Sequence, residues 1–127
     1  MAEKIYPKQV IFGTTPSKSN SYKIIQIKGV STLGKTAAVK NYEKDFFIQC
    51  NHYRDLNIMG YFELYMDVYY PNQRSDLDNS AKVVLDCLQI IKAIKNDNKL
   101  VKMVLRKFLD KANSRIEFVI KEINNPD

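Results

Sequence analysis

One histidine, His52, is all that this 127-residue chain offers to imidazole chemistry. Zinc sites built from several histidines are excluded, and a Ser-His triad has little to draw on. His52 falls near the end of a helical stretch, where its ordinary role is that of a surface or half-buried polar side chain. Cysteine is nearly as scarce. Cys50 and Cys87 stand apart with no C-x-x-C spacing, and free, largely buried thiols in a reducing compartment are expected rather than a disulfide. No apolar run approaches the roughly 20 residues of a membrane span. The start, Met1-Ala2-Glu3-Lys4, lacks the apolar core of a signal peptide. A cytoplasmic location with no membrane partner is therefore expected. Repeats, linkers and low-complexity segments are also missing, so residues 1–127 are expected to form one domain.

What is present is positive charge. The net charge of +6 and pI near 9.3 attract a polyanion at neutral pH. The basic composition is interrupted by an acidic island at Arg74-Ser75-Asp76-Leu77-Asp78-Asn79-Ser80-Ala81-Lys82. Pro71 and Asn72 end the strand before it. Val83, Val84, Leu88, Ile91 and Ile94, with Leu85 and Cys87 beside them, recur at helical spacing after it. Asp76 or Asp78 thus falls at a helix N-terminus, and Lys82, four residues after Asp78, shares its face. A plain N-cap with an i,i+4 ion pair accounts for part of this pattern. Two acids flanked by Arg74 and Asn79 exceed what a cap needs. They suit a cation of the magnesium type, which takes one or two carboxylates and leaves positions for phosphate and water. A calcium loop of the EF-hand type is set aside, because Ala81 and Cys87 stand where its Gly and Glu belong.

The rest of the chain reads as alternating elements. Strands are expected at residues 8–12, 22–27, 61–70, 100–109 and 115–123, and helices at 35–54 and from the acidic island to about 92–94. The class is α/β (α+β), a mixed sheet of about five strands packed against two main helices. In the strand at 61–70, Phe62, Leu64, Met66 and Val68 form the face turned to a helix. Ala38, Tyr42, Phe46, Phe47 and Cys50 share helical spacing, and the aromatics are expected in the core. The polar loop at 14–21, with Lys18 and Asn20, is a candidate contact to a phosphate backbone. Residues 29–36 match the phosphate-loop pattern G-x-x-x-x-G-K-[ST]. The short chain, the half-polar strand at 60–70 and the position of Asp67 argue against a nucleotide hydrolase, and no nucleotide cofactor is expected. A hairpin-like loop is the better reading, with Lys35 offered to a DNA phosphate. Arg74, Lys23, Lys102 and Arg106 are further phosphate candidates.

With the acids placed, the chain resembles the RusA family of Holliday junction resolvases. The resemblance covers most of the sequence. It is carried by Pro16-Ser17-Lys18-Ser19-Asn20-Ser21-Tyr22, by Tyr42-Glu43, by residues 74–82 as [R]-x-D-x-D-N-x-x-K, by Leu85-Asp86-Cys87-Leu88, and by Asp97 after the helix. It implies a homodimeric endonuclease that nicks four-way DNA junctions symmetrically with Mg²⁺, Mn²⁺ substituting, in recombination and repair. It implies Asp76, Asp78 and Asp97 as the essential acids and metal ligands, and Lys82 as the essential lysine. Asn79 and Asp86 would support them. Where relatives often have two adjacent acids, Asn96 precedes Asp97 here. Such proteins are often carried by prophages, which implies a bacterial or phage source. The competing reading from another class is a non-catalytic basic DNA-binding module whose acids only cap a helix.

Overall fold

The computed structural model describes residues 3–17 and 21–124. In chain order these form β1 (Lys4–Ile5), β2 (Gln9–Phe12), β3 (Tyr22–Ile27), β4 (Val30–Lys35), α1 (Ala37–Gln49), β5 (Phe62–Tyr70), α2 (Leu77–Ile90), a 3-10 turn at Asp97–Lys99, β6 (Leu100–Leu109) and β7 (Arg115–Glu122). β5 is the centre. It pairs antiparallel with β7 on one side and parallel with β6 on the other. The outer side of β7 is taken in turn by β1 and β2. A parallel pair needs a crossover, and α2 supplies it between β5 and β6.

The alternation expected in β5 is present. Phe62, Leu64, Met66, Val68 and Tyr70 are buried, while Glu63, Tyr65, Asp67 and Tyr69 stay half-exposed. Ile116, Phe118 and Ile120 of β7 extend the buried face. Tyr42 and Phe46 of α1 and Val83, Val84, Cys87 and Leu88 of α2 join the same core. Phe46 stacks on Phe118 with ring centroids 6.0 Å apart. Both cysteines are free and buried, and burial pushes the Cys50 thiol up to about 12. The opposite face of the sheet carries ion pairs instead: Asp67 with Arg106, and Lys8 and Arg115 with Glu117.

Several expectations need correction. The strand at 22–27 does not join the main sheet. β3 pairs only with β4 in a separate hairpin, and β1 completes the five-stranded sheet. The loop expected at 29–36 is mostly strand. Its turn is Lys28 and Gly29, at φ 52° and 81°, the left-handed pair that a two-residue hairpin turn demands. A strand cannot wrap its amides around a phosphate, so the phosphate-loop pattern does not form that cradle. The first helix spans Ala37–Gln49 rather than 35–54. Gln49 turns its amide back onto β2, accepting from Phe12 N–H at 2.7 Å and donating to Phe12 O at 3.0 Å. Buried Gln9 takes the helix end, donating to Gln49 O and accepting from His52 N–H. Phe47 is exposed rather than core, with the Arg54 guanidinium 5.0 Å from its ring centre. The expected fraying of the last residues, 125–127, lies outside the described residues.

Candidate active site

The carboxyl end of β5 delivers the acids, and the loop between β5 and α2 is pinned on three sides. The Tyr70 hydroxyl donates to the Asp76 carbonyl at 3.1 Å and shares a further hydrogen bond with Ser80 Oγ. Lys107 Nζ, from β6, donates to Gln73 O at 2.9 Å and Ser75 O at 2.8 Å. Asn72 Oδ1 accepts from Arg74 N–H at 2.9 Å, the local turn that Asn favours. Asp76 is the N-cap of α2, but its side chain makes no capping bond. Asp78 lies in the first turn, and its Oδ1 accepts from Asn79 N–H at 2.9 Å. Both acids are exposed.

Asn79 is buried and turns away from the acids. Its Nδ2 donates to Pro16 O at 2.8 Å and to Ser21 Oγ at 3.3 Å, and Ser21 Oγ donates to Ser17 O. One amide therefore clamps the polar loop that leads into β3 against the start of α2. Lys18 and Asn20, the loop's candidates for DNA contact, lie outside the described residues.

Lys82 is one turn further along α2. The i,i+4 ion pair of the plain helix-cap reading is not among the ion pairs of the described residues. The Lys82 ammonium instead sits over the Tyr22 ring, 4.7 Å from the centroid. Lys35 is engaged as well, with Nζ 2.6 Å from Glu43 Oε2. Asp86, one turn beyond Lys82, stands near both lysines and near Asp97 and Glu43. Burial raises its pKa, the two lysines draw it down, and the neighbouring acids push it up.

Asp97 is held at the far end of α2, where its N–H donates to Gln89 Oε1 at 2.9 Å. Gln89 comes eleven residues after Asp78 on α2, a rise of about 16 Å. Among the described residues, no three His, Cys, Asp or Glu side chains form a ready group for a metal ion. Asp76 and Asp78 lie two residues apart at the start of α2, and Asp97 lies beyond its end, near Asp86.

Of the other phosphate candidates, Arg74 and Lys23 are exposed. Arg106 is committed to both Asp67 oxygens at 2.8 Å, and Lys102 lies 5.7 Å from the Tyr65 ring centre. Tyr22, Glu43 and Lys107 were missed as parts of the site. The partners of Tyr22 and Lys107 lie far away in sequence and that of Glu43 eight residues before it, and Tyr22 and Glu43 had left a trace in the motifs of the resemblance.

A family model described as Endodeoxyribonuclease RusA matches residues 14–121, most of the chain. The chain belongs to the RusA family. No curated protein matches it. As a RusA-family protein it is an endodeoxyribonuclease, a Holliday junction resolvase acting on four-way junction DNA and dependent on a divalent metal. The donors at the start of α2 fit such an ion. A hard divalent cation takes oxygen ligands, and Asp76 and Asp78 offer two exposed carboxylates that no ion pair among the described residues engages. The helix N-terminus beside them favours a phosphate. No helix among the described residues is long and apolar enough to cross a membrane.

Proposed function

We propose that this chain resolves four-way junctions by paired, symmetric, Mg²⁺-dependent nicks, with Mn²⁺ able to substitute. One observation carries the reading: two exposed carboxylates, Asp76 and Asp78, stand at the N-terminus of α2 with the Lys82 ammonium one turn away on the Tyr22 ring. A non-catalytic module whose acids merely cap a helix gains nothing from leaving the Asp76 side chain uncapped.

Asp76 and Asp78 would hold a divalent cation, which would supply a bound water of lowered pKa and positive charge beside the scissile phosphate. Lys82 offers a fixed positive charge to the phosphate oxygens as negative charge builds on them. The Tyr22 ring keeps the ammonium from collapsing onto Asp78. Asn79 and Lys107 position the loops on either side, and Asp86 orients Lys82. Arg74, Lys18, Asn20 and Lys35 contact the DNA backbone, Lys35 by exchanging Glu43 for phosphate.

Two matched nicks call for two matched sites, which a two-fold homodimer supplies. Among the described residues β6 has no strand on its outer side. Its Val101, Met103, Val104, Phe108 and Leu109 are all more than a third exposed. Antiparallel pairing of two β6 edges sets the Leu100 end of one strand beside the Leu109 end of the other. In register, Leu109 lies beside Tyr70, at the end of β5 from which the acid pair departs. Asp97, just before Leu100, therefore serves as the third acid of the partner's pair. The protein works in a bacterial cytoplasm, in recombination and repair linked to a prophage. The decisive assay compares a synthetic four-way junction with a linear duplex, in magnesium and then in EDTA. Paired nicks confined to the junction and abolished by EDTA are expected. Tight binding without nicks would hand the protein to the DNA-binding reading.

A further inference from the structure

The hairpin of β3 and β4 forms a two-stranded sheet of its own. An isolated hairpin is at best marginally stable in water. This one nevertheless leaves Ile24 74%, Leu33 70%, Val30 65% and Ile27 54% exposed. The register divides them between the two faces, Ile24 with Leu33 on one and Ile27 with Val30 on the other, and paired apolar side chains this exposed mark a contact surface rather than ordinary scatter.

The register says which way the surface faces. Tyr22 lies opposite Lys35, Ile24 opposite Leu33, and Gln26 opposite Ser31. Side chains alternate along a strand, so these pairs share one face. At its root Tyr22 carries the Lys82 ammonium and Lys35 bonds Glu43. Next outward is the bare Ile24–Leu33 pair. Beyond it Gln26 Nε2 donates to Ser31 Oγ at 2.9 Å. The face thus runs outward from Lys82. On the reverse side Ile25 packs against Gly34, where an added Cβ would stand 2.8 Å from Ile25 Cδ1. Residues 22–35 hold Lys23, Lys28 and Lys35 and no Asp or Glu. Such an arm attracts a polyanion and repels another copy of itself.

We propose that this face is a platform for the branch point of the DNA. Ile24 and Leu33 take the apolar surface of an unstacked base or sugar beside the cut, and Lys23 and Lys28 supply positive charge at the margins. The inference rests on the junction-cleaving reading above. Apolar side chains that fill a gap in a base stack hold distorted DNA in other settings. A branch point offers such a gap and a linear duplex does not. The platform therefore favours branched over linear DNA, a preference the acids and Lys82 have no means of making.

The test uses the full chain carrying Asp78→Asn, so that bound DNA stays intact, and a four-way junction with 2-aminopurine at the branch. Ile24→Ser with Leu33→Ser should weaken junction binding about a hundredfold or more, as expected for withholding two apolar side chains from burial. Linear-duplex binding should barely change, and the 2-aminopurine fluorescence change should disappear. Ile24→Tyr keeps a stacking surface and should retain both. Unaltered melting temperatures will show that the variants fold. Junction affinity and fluorescence unchanged by the two serines would overturn the proposal. So would a double variant that falls from dimer to monomer, which would assign the face to a second copy. Failure of the cleavage reading is distinct: the unsubstituted chain would then leave junctions uncut in magnesium, whatever the arm does.

Discussion

Asp76 and Asp78 differ in how far each is already engaged. Asp78 gives one oxygen to the Asn79 amide, while the Asp76 side chain makes no capping bond. Asn at either position keeps the volume and removes the charge. Cleavage should fall by orders of magnitude in both variants, with junction affinity held or improved, because repulsion between carboxylate and phosphate is relieved. Normal cleavage by Asp78→Asn in a single-turnover assay would remove the pair from the chemistry. Asn79 makes a different prediction. Its buried amide joins α2 to Pro16 and Ser21, so Asn79→Ala strands those acceptors. Stability should drop by about 1–3 kcal/mol, read by urea titration, and cleavage should fall with it as the loop leaves the site.

At the scale of elements, the loop between β5 and α2 depends on a residue of another strand. Lys107 holds the carbonyls of Gln73 and Ser75 from β6. Lys107→Met keeps the stem and removes the donor. It should lower the cleavage rate roughly ten- to a hundredfold, the scale of a small misplacement of catalytic groups, while affinity changes little. An equal loss of affinity would make Lys107 a DNA contact instead. Local pattern made much of this architecture legible. The alternation Phe62, Leu64, Met66, Val68 announces β5, and the spacing of Val83, Val84 and Leu88 announces α2 with the acids at its start. β4 was hidden for a physical reason: Val30 to Leu33 are exposed throughout, so no face repeats along it, and two glycines with Lys35 and Thr36 imitate a different motif. The end of α1 was hidden because Gln49 and Gln9 settle it through contacts with β2, nearly forty residues away in sequence. The clamp by Asn79 and the seat of Lys82 on Tyr22 were illegible for the same reason. A sequence shows which residues can bond, and the fold decides which of them meet.

The open face of the sheet sets a limit on acid stability. Glu117 is held below its usual pKa by the hydrogen bond from Lys8, with Arg115 adding to it. Asp110 is held down chiefly by its hydrogen bond with Arg115. A carboxyl with a depressed folded pKa binds fewer protons folded than unfolded. Its contribution is therefore complete above the ordinary carboxylate value and is lost as pH falls through the folded one. Glu117→Gln should lower stability at neutral pH, where the carboxylate's contribution is complete, and flatten the further fall below pH 4.5, the ordinary value for Glu. Denaturant midpoints across that range give the slope, and an unchanged slope would show that other groups govern acid unfolding.

The whole molecule poses the question of how one chain assembles three acids when it keeps Asp97 at the far end of α2 from Asp76 and Asp78. If β6 edges pair antiparallel, each Asp97 travels to the other copy's acid pair and the site is built from two chains. Mixing two inactive variants distinguishes this from a site within one chain. One chain carries Asp78→Asn, the other Asp97→Asn. In the mixed dimer a shared site recovers one full set of acids, the intact Asp78 of one chain with the intact Asp97 of the other. A site confined to one chain recovers none, since each chain has lost an acid of its own. The expected result is restored magnesium-dependent nicking on mixing, limited to one strand of the junction because only one of the two sites is whole. Placing Met103→Lys in both chains, on the edge that would be shared, should lower the sedimenting mass to that of one chain and abolish the recovery. Inactivity of the mixture with dimers intact would return Asp97 to its own chain and leave Asp76 and Asp78 to act without it.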